Sequence, residues 1–283
     1  MSQKITQILN SLKNINSNSP LFFILGPCVI ETEEHSLKAA EFLTNLATKL
    51  NFNFIFKSSF DKANRTSLNN FRGTGFEQGL KILERVRKDF DVPVITDIHE
   101  ISQVNEVASV VDVLQIPALL SRQTDLLVAA GKTGKFINIK KGQFIAPENM
   151  KSILDKVTST GNQNVWACER GYSFGYNNLI VDYRNFSILK RFGHPVVFDA
   201  THSVQTPSAQ GCSSGGDRRF ALPLAISAVA QGISGVFMEV HDNPEKALCD
   251  GPNSIRFSQL EDLLKYLIEL DNFVKSKKLP EIS

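Results

Sequence analysis

Residues 92–141 read VPVITDIHEISQVNEVASVVDVLQIPALLSRQTDLLVAAGKTGKFINIKK, and this stretch decides the fold. Three short runs in it are apolar on both faces and rich in β-branched residues, which is typical of buried parallel strands. They occupy residues 92–98, 111–117 and 135–141. Segments with the apolar spacing of helices separate them, at roughly 100–110 and 121–133. The pattern predicts consecutive strand–helix units that build a parallel sheet.

The same unit repeats along the rest of the chain. Further apolar runs lie at 21–27, 52–60, 164–171, 194–202 and 234–241, and further helical segments at roughly 33–50, 76–90, 147–160, 178–192, 218–232 and 256–277. Eight repeats predict one α/β domain, a closed (β/α)8 TIM barrel over residues 21–283, after a short N-terminal extension over 1–20 that forms an appended helix. An open doubly wound sheet is the alternative, but its first turn is usually Gly-rich, whereas this one reads GPCVIE.

Composition and charge exclude several function classes. The chain has 283 residues, of which 42% are hydrophobic and 21% charged, as in ordinary globular proteins. Lys plus Arg (31) nearly balances Asp plus Glu (29), so no basic field favours nucleic acid or a membrane surface as a partner. The polar N-terminus is unlike a secretory signal, and no apolar run is long enough to cross a bilayer. Four scattered cysteines indicate a reducing compartment, and we expect a cytoplasmic protein.

Polar side chains follow every predicted strand. In a TIM barrel the reactive residues come from the carboxyl ends of the strands, so these positions form the candidate site. In strand order they are Cys28; Lys57 and Lys62; Asp97; Gln115; Lys140 and Lys141; Glu169 and Arg170; Asp199 and His202; Glu239 and His241. A single one of them is most simply a solvated loop residue, but eight strand ends together predict an active site.

Six cations are expected to converge on this face of a chain whose net charge is only +2: Lys57, Lys62, Arg65, Lys140, Lys141 and Arg170. Arg binds phosphate or carboxylate as a fork and Lys binds it as a point charge. The number of cations predicts more than one bound anion. The alternative, isolated surface cations, is weakened because Lys57 and Lys140 directly follow apolar strand residues that should point them into the barrel mouth.

Four further residues could hold a metal. Barrel closure makes the eighth strand a neighbour of the first, which brings together Cys28, His202 and Glu239, with Asp250 on the loop beyond. This donor set suits Zn, Fe or Mn better than Mg or Ca. The alternative is that Cys28 is a small buried hydrophobe and His202 a general acid or anion donor. Residues 206–217 are predicted to form either a mobile lid or a disordered surface loop that exposes Cys212.

Several long strings resemble the 3-deoxy-D-manno-octulosonate 8-phosphate synthase family. They are FKSSFDKANRTS (56–67), DVLQIPALLSRQTDLL (112–127), NIKKGQF (138–144), ERGYSFGYNNLIVDYRN (169–185), DATHSVQ (199–205) and MEVHDNPEKALCDGP (238–252), and the likeness runs from about residue 21 to 265. The resemblance implies condensation of phosphoenolpyruvate with D-arabinose 5-phosphate, with release of phosphate, in lipopolysaccharide inner-core sugar biosynthesis. It also implies a homotetramer, because a second subunit completes the pentose-phosphate site.

The resemblance also implies residue roles. The residues implied to bind phosphoenolpyruvate are Lys57, Ser59, Lys62, Gln115, Lys140 and Arg170. Those implied to bind the pentose phosphate are Asn64, Arg65 and Thr66. The implied catalytic residues are Lys57, Lys62, Asp97, His202 and Asp250. Cys rather than Asn at position 28 marks the metal-dependent branch, with Cys28, His202, Glu239 and Asp250 as ligands. The chain departs from many relatives at Thr66, where Ser is common and the hydroxyl is kept, and at Leu119, where an aromatic wall is lost.

Two other functions compete with this one. The sister enzyme 3-deoxy-D-arabino-heptulosonate 7-phosphate synthase uses erythrose 4-phosphate, but it carries Lys-Pro-Arg-Thr where this chain has Lys62-Ala63-Asn64-Arg65. A catalytically inert barrel that binds a phosphorylated ligand is the alternative of another class. Charged residues at all the strand ends argue against it.

Overall fold

The protein is described from a computed structural model, which covers residues 2–15, 18–65, 67–174, 178–206 and 215–277. The barrel strands are β1 (Phe22–Gly26), β2 (Phe54–Lys57), β3 (Val94–Asp97), β4 (Val113–Ile116), β5 (Phe136–Lys140), β6 (Val165–Glu169), β7 (Val196–Asp199) and β8 (Gly235–His241). The helices are α1 (Gln3–Lys13), α2 (Glu33–Leu50), α3 (Phe76–Asp89), α4 (Val104–Val110), α5 (Thr124–Lys132), α6 (Met150–Thr158), α7 (Arg184–Lys190), α8 (Ala221–Val229) and α9 (Phe257–Lys275).

The eight parallel strands follow chain order and close into a barrel. The closing pair is β1 with β8, in a register that sets Phe22 opposite Gly235 and Gly26 opposite Glu239. Glycine is required at position 235, because a Cβ there would lie 2.7 Å from the Phe22 ring. The predicted TIM barrel is therefore confirmed, and the open doubly wound sheet is excluded.

Alternate strand residues build two separate apolar layers. Outward-facing residues such as Phe23 and Leu25 pack against the helices in the larger core. Inward-facing residues such as Phe22 and Ile24 join a second cluster with Trp166, which fills the barrel interior. The amphipathic helix α1 contributes Ile8 and Leu12 to that inner cluster. The N-terminal helix thus closes the amino end of the barrel, and the opposite end stays open.

The helix expected over 178–192 is shorter than its apolar pattern indicated. Residues Asn178–Ile180 form a strand that pairs in antiparallel fashion with Tyr172–Phe174, and α7 begins only at Arg184. The side chain of Asp182 accepts a hydrogen bond from the Arg184 amide at 3.0 Å just before the helix begins. The short β-ladder forms in place of the first turn of the predicted helix. The two paired strands extend the wall around the barrel mouth.

Two smaller findings complete the architecture. Short antiparallel strands at Gln205–Thr206 and Gly215–Gly216 flank the segment predicted to be a lid, but residues 207–214, with Cys212, lie outside the described part of the chain. Among the helices that the structure describes, none is both long and apolar enough to cross a membrane.

Candidate active site

A cavity of about 190 Å³ opens at the carboxyl end of the barrel. Its wall contains eleven of the residues predicted from sequence: Lys57, Lys62, Asn64, Arg65, Asp97, Gln115, Lys140, Arg170, Asp199, His202 and Asp250. Three other predicted residues, Cys28, Ser59 and Glu239, are buried beneath it, with 3% of Cys28 exposed and 0% of the other two. Thr66 lies outside the described residues. Most of the predicted site residues that the structure describes therefore come together in one place, but the predicted strand-end residues Lys141, Glu169 and His241 do not line the cavity.

The first turn of the barrel brings the thiol of Cys28 close to β2. A Cβ at position 26 would lie 1.9 Å from the Lys57 carbonyl oxygen, so only glycine lets the two strands approach this closely. The Lys57 ammonium donates to the Cys28 carbonyl oxygen at 2.9 Å. This contact fixes the loop that carries Cys28 against the second strand.

Two lysines that line the cavity are each held by a buried carboxylate. The Lys57 Nζ lies 2.8 Å from Glu239 Oε1, and both side chains are 1% exposed. Lys140 forms a close ion pair with Asp199, and the two lysine ammonium groups lie 5.4 Å (Lys57) and 3.3 Å (Lys140) from the centre of the Phe237 ring. Because an unpaired buried charge is very costly, these pairs explain how the barrel tolerates ammonium groups at this depth.

A polar chain crosses the barrel on the β2–β5 side. The Asn138 amide donates to Gln115 Oε1 at 2.9 Å, and the Gln115 amide donates to Asp97 Oδ1 at 2.6 Å. Ser59 donates a close hydrogen bond to the other Asp97 oxygen, and Lys62 Nζ lies 4.0 Å from it. Burial alone would raise the pKa of Asp97, but the charges of Lys62 and Lys57 hold it well below its usual value. Asp97 is therefore an ionised acceptor at neutral pH.

Two arginines keep hydrogen-bond donors that no group in the described part of the chain satisfies. Arg170 donates through Nη2 to Gln205 Oε1 at 2.7 Å, whereas its buried Nη1 has no partner. Arg65 contacts Cys249 Sγ through Nη1 at 2.8 Å, whereas its buried Nε has none. A buried donor without an acceptor is costly unless a ligand accepts from it. Arg65 follows β2 and Arg170 follows β6, which lie four strands apart on opposite sides of the barrel. The cavity thus offers two separated anion sites.

The Cys28 cluster, which consists of Cys28, His202, Glu239 and Asp250, has the geometry of a metal site. Donor atoms of the first three lie within 4.8 Å of one another. Asp250 Oδ2 lies 3.2 Å from Cys28 Sγ and 3.5 Å from His202 Nε2. The second carboxylate oxygen of Glu239 is buried without a hydrogen-bond partner. One thiol, one imidazole and two carboxylates therefore point to a common centre and could hold a divalent transition metal.

Asp199 orients the imidazole of this cluster. His202 Nδ1 lies 2.8 Å from Asp199 Oδ2, so Nδ1 carries a proton and Nε2 faces Glu239 and Asp250. Burial would lower the pKa of His202, but the charge of Asp199 outweighs it and raises the pKa to about 10. A carboxylate behind a ligating histidine is the usual support in metal sites.

The thiol of Cys28 needs a nearby positive charge to ionise. Burial raises its pKa well above the usual value, and the hydrogen bond with Cys249 and the charge of Asp250 raise it further. Cys249 Sγ lies 3.1 Å from Cys28 Sγ. A bound cation would supply the missing charge, because metal coordination replaces the thiol proton.

Lys141 does not belong to the cation cluster, contrary to the sequence prediction. Its side chain is 0% exposed and points away from the cavity, with Nζ 3.5 Å from Glu169 Oε1 and 3.6 Å from the centre of the Tyr172 ring. Adjacent strand residues face opposite sides of a sheet, so Lys140 and Lys141 cannot both enter the barrel. Glu169 also accepts from the Asn185 amide at 2.9 Å. This network braces the end of β5, which carries Lys140, and the segment after β6, which carries Arg170.

The cavity wall also contains residues that are not among the predicted site residues: Asn70, His99, Pro117, Ala118, Gln143, Gln205 and Cys249. Asp199, which was predicted as a strand-end residue, lines the cavity as expected, since it ends a buried strand three residues before His202. Cys249 adjoins Asp250, but its own type gave no reason to choose it. Leu119 also lines the cavity and is 50% exposed there, so an apolar wall remains at this position.

Known proteins that are similar to this chain match most of its length. The family model described as DAHP synthetase I family matches residues 7–276. A protein of Trichlorobacter lovleyi is 57% identical over 255 residues, or 90% of this chain and 94% of the relative. One of Xanthomonas axonopodis pv. citri is 56% identical over 261 residues, covering 92% and 95%. One of Geobacter sulfurreducens is 52% identical over 275 residues, covering 97% and 100%. All three are named 2-dehydro-3-deoxyphosphooctonate aldolase.

Proposed function

The chain belongs to the DAHP synthetase I family, and from this premise we propose that it acts as a 2-dehydro-3-deoxyphosphooctonate aldolase, the synthase of 3-deoxy-D-manno-octulosonate 8-phosphate. It joins phosphoenolpyruvate to D-arabinose 5-phosphate and releases inorganic phosphate, in the biosynthesis of the lipopolysaccharide inner-core sugar. The relatives share this name over most of both chains. The sister activity with erythrose 4-phosphate is not favoured.

The unsatisfied donors of Arg65 and Arg170 carry the proposal, because the reaction needs two phosphate groups held apart at opposite ends of one cavity. Arg170 and the adjacent Lys140 receive the phosphate of phosphoenolpyruvate, and Lys62 receives its carboxylate. Arg65, with Asn64 and Thr66, receives the pentose phosphate. Fixed cations overcome the repulsion of two anionic substrates and bring the reacting carbons together.

In the reaction C3 of phosphoenolpyruvate bonds to the aldehyde carbon of the open-chain pentose, water adds at C2, and phosphate leaves with its bridging oxygen by C–O cleavage. Asp97, ionised and held by Ser59 and Gln115, accepts hydrogen bonds from pentose hydroxyls. Lys57, Lys140 and Arg170 lie where negative charge grows on the leaving group, and such oriented donors lower a barrier most in a dry pocket.

The proposal includes a divalent cation, Zn, Fe or Mn, held by the Cys28 cluster. When bound, such an ion either polarises the aldehyde oxygen or activates the water. Asp199 keeps the His202 ring in the orientation that binds the metal. His202 and Asp250 belong to the catalytic group because they would hold this ion. A thiolate ligand survives only where thiols stay reduced, so we place the enzyme in the cytoplasm.

A homotetramer is the proposed assembly, since a neighbouring subunit completes the pentose-phosphate site in the family that the chain resembles. Arg65 on the rim of the cavity is the residue that the neighbour would approach. Small molecules are the only other partners in the proposal.

The test is phosphate release from phosphoenolpyruvate with either arabinose 5-phosphate or erythrose 4-phosphate, before and after chelation and with metal added back. We expect turnover with arabinose 5-phosphate, loss with chelator, recovery with metal and no metal dependence of folding. Erythrose preference would refute the substrate, and turnover indifferent to chelator would refute the metal. A Cys28→Asn variant repeats the second test without chelator.

A reciprocal pair of variants tests the two anion sites. Arg170→Met should raise the KM for phosphoenolpyruvate, and Arg65→Met should raise the KM for the pentose phosphate, each by a factor of at least about 10. Arg184→Met is the matched control, because that guanidinium is 86% exposed and pairs with Asp182 outside the cavity. Equal effects of both variants on both KM values would contradict the assignment of one arginine to each anion.

A further inference from the structure

A second group of metal-ligand side chains lies outside the barrel mouth, and we call it the Glu31 cluster: Glu31, His35, His241 and Asp242. Glu31 lies in the loop after β1, His35 in the first turn of α2, and His241 is the last residue of β8. One donor atom from each of these three lies within 4.8 Å of the others. The two imidazole rings are 4.4 Å apart between centres.

The imidazoles are buried without satisfying their nitrogens. The His241 side chain is 6% exposed, and its Nε2 has no hydrogen-bond partner among the described residues. The His35 side chain is 13% exposed, contrary to the exposed position typical of a histidine at a helix start, and neither ring nitrogen has a hydrogen-bond partner in the part of the chain that the structure describes. The nearest carboxylate oxygens, of Glu31 and Asp242, are each 3.3 Å away but outside hydrogen-bond geometry. Burial of unsatisfied nitrogens beside carboxylates is destabilising unless a ligand binds them.

We propose that the Glu31 cluster is a second metal site, which binds a divalent transition metal of the Zn²⁺ class through Glu31, His35 and His241. Two imidazoles and one carboxylate are a common zinc ligand set. Asp242 supports the site, since its Oδ1 lies 3.2 Å from His241 Nδ1. A carboxylate in this place accepts a hydrogen bond from Nδ1–H when Nε2 binds the metal.

The local hydrogen bonds are compatible with that arrangement. The Asn243 amide N–H donates to both His241 Nδ1 and Asp242 Oδ1, at 2.9 Å each. When metal binding at Nε2 moves the ring proton to Nδ1, the Asn243 amide can stay bonded to Asp242, and Nδ1–H can donate to the same carboxylate. Lys38 occupies the other oxygen of Asp242 at 2.8 Å, on the solvent side, and does not compete for the metal ligands.

The position of the cluster suggests what the ion does. Glu31 lies three residues after Cys28, and its Oε1 accepts from the Leu248 amide at 2.8 Å, two residues before Asp250. A metal bound here would join the loop after β1, the start of α2 and the end of β8. It would hold in place the two loops that carry Cys28 and Asp250.

Metal stoichiometry tests the proposal on the full-length protein. Wild type, His35→Gln and His194→Gln are dialysed against the same free Zn²⁺, and the bound metal per chain is measured by mass spectrometry. His35→Gln should hold one equivalent fewer than wild type. His194→Gln, a half-buried histidine outside the cluster, should match wild type. Equal binding by wild type and folded His35→Gln would overturn the proposal.

A spectroscopic measurement separates this site from the Cys28 cluster. With Co²⁺ in place of Zn²⁺, Cys28→Ala should retain a d–d absorption without thiolate charge transfer, and Cys28→Ala/His35→Gln should lose it. The difference between these variants does not depend on whether the Cys28 cluster binds metal, so failure of the proposed function would be seen separately. Absence of Co²⁺ absorption in folded Cys28→Ala would refute the second site. Circular dichroism checks folding of every variant.

Discussion

The two ends of the barrel interior are built from the same strands but from opposite kinds of residue. Along β5 the inward-facing side chains run from Phe136 through Asn138 to Lys140, from the closed end to the open cavity. Along β6 and beyond they run from Trp166 to Arg170. The closed end, which we call the floor, buries apolar surface, worth about 25 cal/mol per Å². The open end, the mouth, buries charges, which stabilise only when they are paired.

This difference separates stability from function along a single strand. The floor has hydrophobic contacts and is sealed by α1, so its residues should affect folding and leave the chemistry alone. The mouth has ion pairs such as Lys57 with Glu239, together with donors that lack any protein acceptor. Its residues should affect the reaction more than the fold. Five variants test that division.

The largest effect is expected from the double variant Lys140→Met/Asp199→Asn, which removes a buried ion pair of the mouth. It should lower kcat/KM by on the order of 10⁴, since each oriented group contributes about 10²–10³. The free energy of unfolding should change little, because replacement of a whole buried pair is often neutral. Phosphate-release kinetics and urea unfolding measure the two quantities.

Lys140→Met alone is the comparison for that double variant. It removes the close ion pair of Asp199 and leaves this buried carboxylate less well compensated, so it should reduce the free energy of unfolding by about 3 kcal/mol. If the double variant proved less stable than this single one, the mouth would contribute to stability as the floor does, and the division would fail.

The next largest effect is expected at the centre of the floor. Trp166 is 1% exposed, and its ring centre lies 5.1 Å from that of Phe22 and 5.2 Å from that of Phe136. Trp166→Ala should lower the free energy of unfolding by about 4 kcal/mol, because it removes buried apolar surface and leaves a cavity. The kcat of the folded protein, measured well below the unfolding transition, should stay within about twofold of wild type. Phe273→Ala, at a side chain 62% exposed on α9, is the control with little effect.

A smaller effect is expected where α1 closes the floor. Leu12 is 2% exposed and belongs to the inner cluster, so Leu12→Ala should lower the free energy of unfolding by about 2–3 kcal/mol. Gln7→Ala, on the exposed face of the same helix, should change it by less than about 0.5 kcal/mol. Chemical denaturation measures both. Equal effects would mean that the helix covers the barrel without packing into it.

The fold could be predicted from sequence because periodicity reports burial directly. Eight two-sided apolar runs predicted the barrel, and the rule that reactive groups follow the strands predicted most of the cavity wall. Residue type alone does not predict which way a side chain points from a strand. Lys140 and Lys141 are identical in type and adjacent in sequence, yet one faces the cavity and the other faces Glu169 behind it. Strand alternation determines such a difference, but only once the register is known.

The strand Asn178–Ile180 and the Glu31 cluster illustrate a second limit. The strand forms because Tyr172–Phe174 is available to pair with it, and no periodicity within the segment reveals that partner. His35 lies near the start of the helix predicted over 33–50, where nothing in the local pattern links it to β8, yet tertiary packing of α2 against β8 brings it against His241. Contacts between distant segments were invisible in the sequence, except where barrel closure itself required them, as for Cys28 and Glu239.

The smallest effect is the pH dependence that the mouth gives to stability. Lys62 and Lys57 hold the pKa of Asp97 below its value of about 3.9 in an unfolded chain. The stability that this carboxylate contributes is thus complete above about pH 5 and is lost as the pH falls, since the unfolded state then binds the proton first. Between pH 5 and pH 3, Asp97→Asn should show a shallower fall in the free energy of unfolding, by at most about 1.4 kcal/mol per pH unit for one proton.

Urea unfolding at a series of pH values in low and high salt measures that slope, and Glu261→Gln is the matched control. The pKa of Glu261 is lowered to about 2 by hydrogen bonds with Lys265 and Lys49, so it has the same sign of pH dependence. Its carboxylate lies on the surface of α9, where added salt screens the interaction. Salt should therefore abolish the effect of Glu261→Gln and preserve that of Asp97→Asn. If salt abolished both, solvent would reach the charges of the mouth as freely as those of the surface, and burial would not be what makes the mouth different from the floor.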